Sequence, residues 1–206
     1  VIVLGLTGSI GMGKTTTAAM LRARGLPVQD ADAVVADLYA HGGAAVGAVA
    51  ALYPDVVADG AVDRKRLAAR VLGDAPALTA LEAAVHPLVQ AARQVFLDQA
   101  RANEAPIAVL DVPLLFEAGA DAMTDAVVVV SAPLALQRAR VLARPGMTVR
   151  RFEQILARQL PDADKRRRAD FIIDTSQGLA ATQEQLDAML AAVQAPGFRS
   201  RRLRQA

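Results

Sequence analysis

Val1-Ile-Val-Leu-Gly-Leu-Thr-Gly8-Ser-Ile-Gly-Met-Gly13-Lys14-Thr15-Thr16 decides the fold. Its first six residues are apolar and largely β-branched, without alternation. That pattern predicts a strand buried on both faces of a parallel sheet. Gly8 to Thr15 then fits G-x-x-x-x-G-K-[ST], expected by chance about 0.0008 times in a chain of this composition. Glycines let successive backbone N–H groups converge on phosphate oxygens, and a helix starting at Lys14 adds its positive N-terminal end. Lys14 would neutralise β- and γ-phosphates, and the Thr15 hydroxyl would ligate Mg²⁺.

Outward from this loop, residues 14–24 read as a helix closed by Gly25, and residues 26–29 as a second short strand. Buried strands are also expected at 107–110, 126–130 and 171–173, ending at Asp111, Ser131 and Asp174. The result is an α/β fold: a three-layer α/β/α core around a parallel five-stranded sheet, with ligands at the carboxyl ends of the strands. The stretch 33–106 has little strand character. Val85, Leu88, Val89, Ala92, Val95 and Phe96 follow helical spacing within it, and Asp59-Gly60 marks a turn. It reads as a helical insertion that would hold an acceptor substrate. Residues 137–168 are helical and Arg-rich, broken at Pro145-Gly146. A closing helix carries Leu179, Leu186, Met189, Leu190 and Val193 on one stripe, and the basic tail after Pro196 is expected to fray. The expected organisation is a nucleotide-binding core of 1–32, 107–136 and 169–206, an acceptor domain of 33–106 and a lid of 137–168.

Composition narrows the chemistry. The 206 residues include no Cys, which excludes disulfides, thiolate metal sites and cysteine nucleophiles. Aromatic residues are 3%, too few for a base-stacking platform. Net charge is +2, and all but three of the 23 cations are Arg, a residue suited to phosphate groups. No apolar run reaches the roughly 18 residues of a membrane span, and the start lacks a cationic leader. A soluble, cytoplasmic protein is expected, a monomer or weak homo-oligomer, with neither nucleic acid nor membrane as partner. Lys14, Lys65 and Lys165 are the only lysines, and none lies in the Asn-Lys-x-Asp arrangement that reads guanine, so ATP is favoured over GTP.

Candidate residues follow from position. Asp30 and Asp32 lie just after the second strand, and either carboxylate could take a proton from an acceptor hydroxyl. Asp is equally at home capping a turn. Asp111 ends a buried strand, the place of a Mg²⁺-holding carboxylate or of a strand-end turn. His86, before Pro87, reads as a structural histidine. Arg138, Arg140, Arg144, Arg150, Arg151 and Arg158 suggest a mobile flap that brings guanidinium groups to phosphates. Arg166, Arg167 and Arg168 read as a solvated face.

Taken together, these residues resemble the dephospho-coenzyme A kinase family. The likeness rests on Gly5-Leu-Thr-Gly8 leading into the phosphate loop, Asp30-Ala-Asp32, His86-Pro87-Leu88 and Asp111-Val-Pro-Leu-Leu-Phe-Glu117. It continues through Gln137 with Arg140 and Arg144, Gln159, and Ala169-Asp-Phe-Ile-Ile-Asp174. The resemblance implies a nucleoside-monophosphate-kinase-like core and ATP-dependent phosphorylation of the ribose 3′-hydroxyl of dephospho-coenzyme A, with Mg²⁺. It implies Asp32 as general base, with Lys14 and Arg140 also catalytic. Gly8, Gly11, Met12, Gly13, Lys14, Thr15, Thr16 and Arg144 would hold ATP, and Thr15 and Asp111 the metal. Asp32, His86, Asp111, Pro113, Leu114, Leu115, Phe116 and Glu117 would line the acceptor site. Ser9, Met12, Gln154 and Thr175 depart from the family's usual residues. A kinase for another small molecule, such as a nucleotide or sugar acid, is the alternative. A phosphate-loop switch or nucleic-acid-binding ATPase using the basic tail is a more distant one, and it predicts steeply salt-dependent binding.

Overall fold

In the computed structural model, which describes residues 1–204, β1 (Ile2–Thr7) is the central strand of a sheet ordered β2-β5-β1-β6-β7. The other members are β2 (Val28–Asp30), β5 (Ile107–Asp111), β6 (Ala126–Ser131) and β7 (Phe171–Asp174). The pairs β1/β5, β1/β6 and β6/β7 are parallel, and the Val109 N–H reaches the Pro27 carbonyl at 2.9 Å. The register sets Leu6 beside Asp111 and Ser131 beside Asp174, so the strands' carboxyl ends share one edge.

Contacts divide the chain into two compact units, residues 1–28 with 100–206, and residues 29–99. In the first, α1 (Lys14–Ala23) and α9 (Gly178–Gln194) bury Leu21, Leu186, Met189 and Val193 with Leu4, Leu6, Val128 and Val130. Alternate residues of β6, Val127 and Val129, point to the opposite face and pack with Leu115 and Phe116. Both faces are covered, which is why these strands read as unbroken apolar runs. The rest of this unit is α6 (Leu134–Leu142), α7 (Val149–Leu156), α8 (Asp162–Arg168) and α10 (Arg201–Arg204). The break between α6 and α7 falls at Pro145-Gly146, with Gly146 at φ 70°.

The second unit holds α2 (Ala31–Tyr39), α3 (Val46–Leu52), α4 (Arg64–Val71) and most of α5 (Ala75–Ala102) around Tyr39, Val49, Tyr53, Val56, Leu67, Leu81 and Val85. It is not wholly helical: β3 (Val57–Ala58) and β4 (Ala61–Val62) form an antiparallel hairpin. Asp59 and Gly60, at φ 50° and 72°, supply the two left-handed turn residues that suit a right-twisted hairpin. A pair of two-residue strands is too short to show period-2 patterning in sequence.

Two further expectations change. Val95 and Leu179 continue their helical stripes but are 55% and 65% exposed, because each apolar stripe outruns the surface that covers it. The tail does not fray over its described part. Phe198 packs on the core, and Arg201 donates to Asp170 and Asp121 at 3.2 Å each and to the Arg168 carbonyl at 2.7 Å. Residues 205 and 206 lie outside the described residues. Arg166, Arg167 and Arg168 are all exposed, as expected, and the Arg168 guanidinium also lies 4.2 Å from the Phe116 ring centroid. Among the described residues, no helix is long and apolar enough to cross a membrane.

Candidate active site

The phosphate loop is shaped by close packing as much as by glycine's freedom. A Cβ on Gly8 would stand 2.6 Å from the Val130 carbonyl oxygen, so the loop can leave β1 against β6 only without a side chain. Gly11 has φ 80°, and a Cβ there would also meet Val141 Cγ2 at 2.4 Å. Gly13 is the left-handed N-cap of α1, with no side-chain cap hydrogen bond. The first-turn N–H groups of α1 are therefore available to an anion. Thr15 and Thr16 are exposed on that turn, while Thr17 turns inward and its hydroxyl donates to the Gly13 carbonyl at 3.2 Å.

Lys14 Nζ lies 2.6 Å from Asp111 Oδ1, and Asp111 is 2% exposed at the end of β5. The lysine expected at the phosphates thus sits on the carboxylate expected at the metal. This arrangement holds both groups ready and keeps a buried carboxylate compensated. No group of three or more His, Cys, Asp or Glu side chains that could hold a metal occurs among the described residues. A hydroxyl and one carboxylate cannot enclose a resident ion. They do suit Mg²⁺ arriving with a nucleotide, since that ion keeps several waters and takes phosphate oxygens.

Other segments fasten the loop. Gln159 Oε1 accepts from the Ile10 N–H at 3.1 Å, and Gln137 Nε2 donates to the Ile10 carbonyl at 2.7 Å. Thr175 Oγ1 donates to the Met12 carbonyl at 2.8 Å. Arg140 in turn donates to Thr175 Oγ1 and to the Thr175 carbonyl, both at 2.8 Å. Thr175 departs from the family's usual residue, and its hydroxyl joins the strand-end turn to the phosphate loop. Beside it, the Ser176 amide and hydroxyl hold the Asp174 carboxyl below its ordinary range, against slight burial and with help from Arg166 and Arg140. Among the described residues, the exposed side chains of Arg138, Arg144, Arg150, Arg151 and Arg158 have no hydrogen-bond or ion-pair partner. A cavity of about 540 Å³ adjoins the loop, lined by Ser9, Met12, Ser131, Gln137, Gln159, Asp162 and neighbouring apolar residues.

The segment after β5 corrects the sequence reading. Leu115 and Phe116 are 0% and 4% exposed and belong to the core under β6, so neither is free to touch an acceptor. Leu114 is 40% exposed. The Pro113 carbonyl accepts from Thr7 Oγ1 at 3.0 Å. Glu117 Oε1 accepts from Lys165 Nζ at 2.9 Å and from the Leu160 N–H at 2.7 Å. Lys165 is fully buried, although it directly precedes the exposed Arg166–Arg168 run.

In the second unit, Asp30 and Asp32 sit in different surroundings. Asp30 caps α2, its Oδ1 accepting from the N–H groups of Asp32 at 2.9 Å and Ala33 at 3.2 Å. The Asp32 side chain is exposed and has no partner among the described residues. His86 is exposed on α5, next to the in-helix Pro87. Sequence reasoning assigned no role to the Gln137 and Gln159 contacts or to buried Lys165. The scarcity of lysine was the one available signal for the latter.

Comparison with known proteins agrees with this geometry. The family model described as dephospho-CoA kinase matches residues 2–181. The dephospho-CoA kinase of Mesorhizobium japonicum is 57% identical over 189 residues, covering 92% of this chain and 95% of that protein. A crystal structure from Thermus thermophilus superposes with TM-score 0.78 at 37% identity, over 94% of this chain and 98% of the other. The dephospho-CoA kinase of Campylobacter jejuni shares the fold, with TM-score 0.61 at 20% identity over 91% and 95%. With the phosphate loop intact and both the family model and these relatives matched over most of the chain, this chain belongs to the dephospho-CoA kinase family.

Proposed function

We propose that the chain transfers the γ-phosphoryl group of ATP to the ribose 3′-hydroxyl of dephospho-coenzyme A, with Asp32 as the general base. A new bond joins the ribose oxygen to phosphorus, the bond from phosphorus to the β,γ-bridging oxygen breaks, and ADP leaves with coenzyme A as the other product. The hydroxyl proton passes to the Asp32 carboxylate. The observation that carries this reading is the phosphate loop: an uncapped helix start, with Lys14 held on buried Asp111 beside it. Gly8, Gly11, Met12, Gly13, Thr15 and Thr16 surround the phosphates in this reading. Thr15 and Asp111 would hold Mg²⁺, which when bound neutralises phosphate charge.

Asp32 is preferred to Asp30 because Asp30 is committed to capping α2. Pro113, Leu114 and His86 remain as acceptor contacts, and Glu117 serves instead to fasten residues 160–165. Residues 137–168 act as the lid. Arg144 is exposed and unpartnered among the described residues, so it is free to meet phosphates, whereas Arg140 secures Thr175 and through it the loop. A cytoplasmic setting fits two water-soluble anionic substrates. No observation favours a nucleotide or sugar acid as acceptor.

The test is ADP release with MgATP against a panel of dephospho-coenzyme A, nucleoside monophosphates and sugar acids, with the phosphorylated position read by NMR. Turnover with dephospho-coenzyme A alone, modified at the 3′ position, is expected. Silence with it defeats the reading. Asp32→Asn should lower kcat by about 10²–10⁴-fold while ADP affinity holds; wild-type turnover would remove Asp32 from the mechanism.

A further inference from the structure

We propose that Gln137 and Gln159 are positioning residues that preset the phosphate loop for ATP by holding the backbone N–H and carbonyl of Ile10. The inference rests on the reading of this loop as the ATP site. The turn from Gly8 to Gly13 has little to hold it from within. Among the described residues its one internal backbone hydrogen bond outside regular elements runs from the Met12 N–H to the Ser9 carbonyl, at 3.2 Å. Its glycines make it conformationally soft, and a soft loop spends binding free energy on becoming ordered.

Outside groups take hold at Met12, whose carbonyl accepts from Thr175, and at Ile10. Gln159, just beyond α7, accepts from its N–H, and Gln137 on α6 donates to its carbonyl. Both glutamines come from the Arg-rich segment, so the grip ties the phosphate loop to the elements that carry Arg140 and Arg144. Gln137 is 2% exposed, and both side chains also line the cavity beside the loop. Because the Ile10 N–H is committed to Gln159, it is withdrawn from phosphate binding, which falls to the later N–H groups of the loop and α1.

The two contacts have opposite polarity, and this yields a test that a merely structural role does not pass. Gln159 acts as an acceptor, a task a carboxylate also performs. Gln137 acts as a donor, a task a carboxylate cannot perform. Gln159→Glu should therefore keep ADP affinity within about twofold, whereas Gln159→Leu and Gln137→Glu should each weaken it about tenfold. The measurements are Mg-ADP titration calorimetry and steady-state kinetics on the full chain. KM for ATP should rise in parallel with the ADP dissociation constant, while kcat at saturation and KM for dephospho-coenzyme A stay near wild type. Equal behaviour of Gln159→Glu and Gln159→Leu overturns the proposal. That comparison stands by itself if the more buried Gln137 variant does not fold. Wild-type protein that fails to bind ADP would instead overturn the assignment of the loop to ATP.

Discussion

Exchanging Lys165 for Met should reveal how firmly the segment after β5 is tied to α8. Lys165 has no exposed side-chain surface, and Glu117, its partner at 2.9 Å, retains 17%. Removing one member of a buried ion pair costs about 3–5 kcal/mol, because the other is left uncompensated. Lys165→Met belongs near the lower limit, about 3 kcal/mol, since Glu117 keeps the Leu160 N–H and some water. Glu117→Gln should cost about 4 kcal/mol, since it strands an enclosed ammonium with the Pro113 carbonyl 3.4 Å away. For a chain of this size, 3 kcal/mol corresponds to a Tm lower by roughly 6–12 °C. The double variant removes both charges and should cost about 4–5 kcal/mol instead of the roughly 7 of the two singles added, a coupling of about 2–3 kcal/mol in a double-mutant cycle.

The pH dependence of the same pair has a defined sign. Burial pushes the Glu117 carboxyl up, but the Lys165 hydrogen bond, the Leu160 and Glu117 amides and the Lys165 charge outweigh it. The net result lies below the ordinary value of 4.5. A carboxyl depressed on folding contributes stability that is complete above its unfolded pKa and is lost as pH falls through the folded one. Urea unfolding followed by circular dichroism, from pH 7 down to pH 3, should show a smaller acid loss in Lys165→Met than in wild type. Single variants within about 0.5 kcal/mol of wild type, or a double variant equal to the sum of the singles, would refute the reasoning.

Two other perturbations test the frame. Gly11→Ala should abolish measurable ADP binding in calorimetry, since φ 80° and a Cβ 2.4 Å from Val141 Cγ2 both oppose the loop's shape; near-normal affinity would contradict that packing. Arg201→Ala should cost about 2–3 kcal/mol in urea unfolding, because Asp121 and Asp170, 12% and 10% exposed, lose their shared cation. A change within about 0.5 kcal/mol would mean the tail contributes nothing to the core.

The sequence by itself determined what depends on neighbours along the chain. The parallel sheet was legible because its three middle strands, β5, β1 and β6, are buried on both faces and carry uninterrupted apolar runs, whereas the edge strands β2 and β7 are only partly buried. The phosphate loop was legible because its chemistry is local: a glycine-rich turn, a lysine and a hydroxyl around one helix start. Only the tertiary structure showed that a helix start claims the Asp30 carboxylate and leaves that of Asp32 exposed. It alone placed Leu115 and Phe116 in the core, buried Lys165, set Arg201 against Asp121 and Asp170, and brought Gln137 and Gln159 to the Ile10 N–H and carbonyl. Those outcomes depend on partners distant in sequence. Whether a polar side chain meets water or a buried complement is decided by what the fold places beside it.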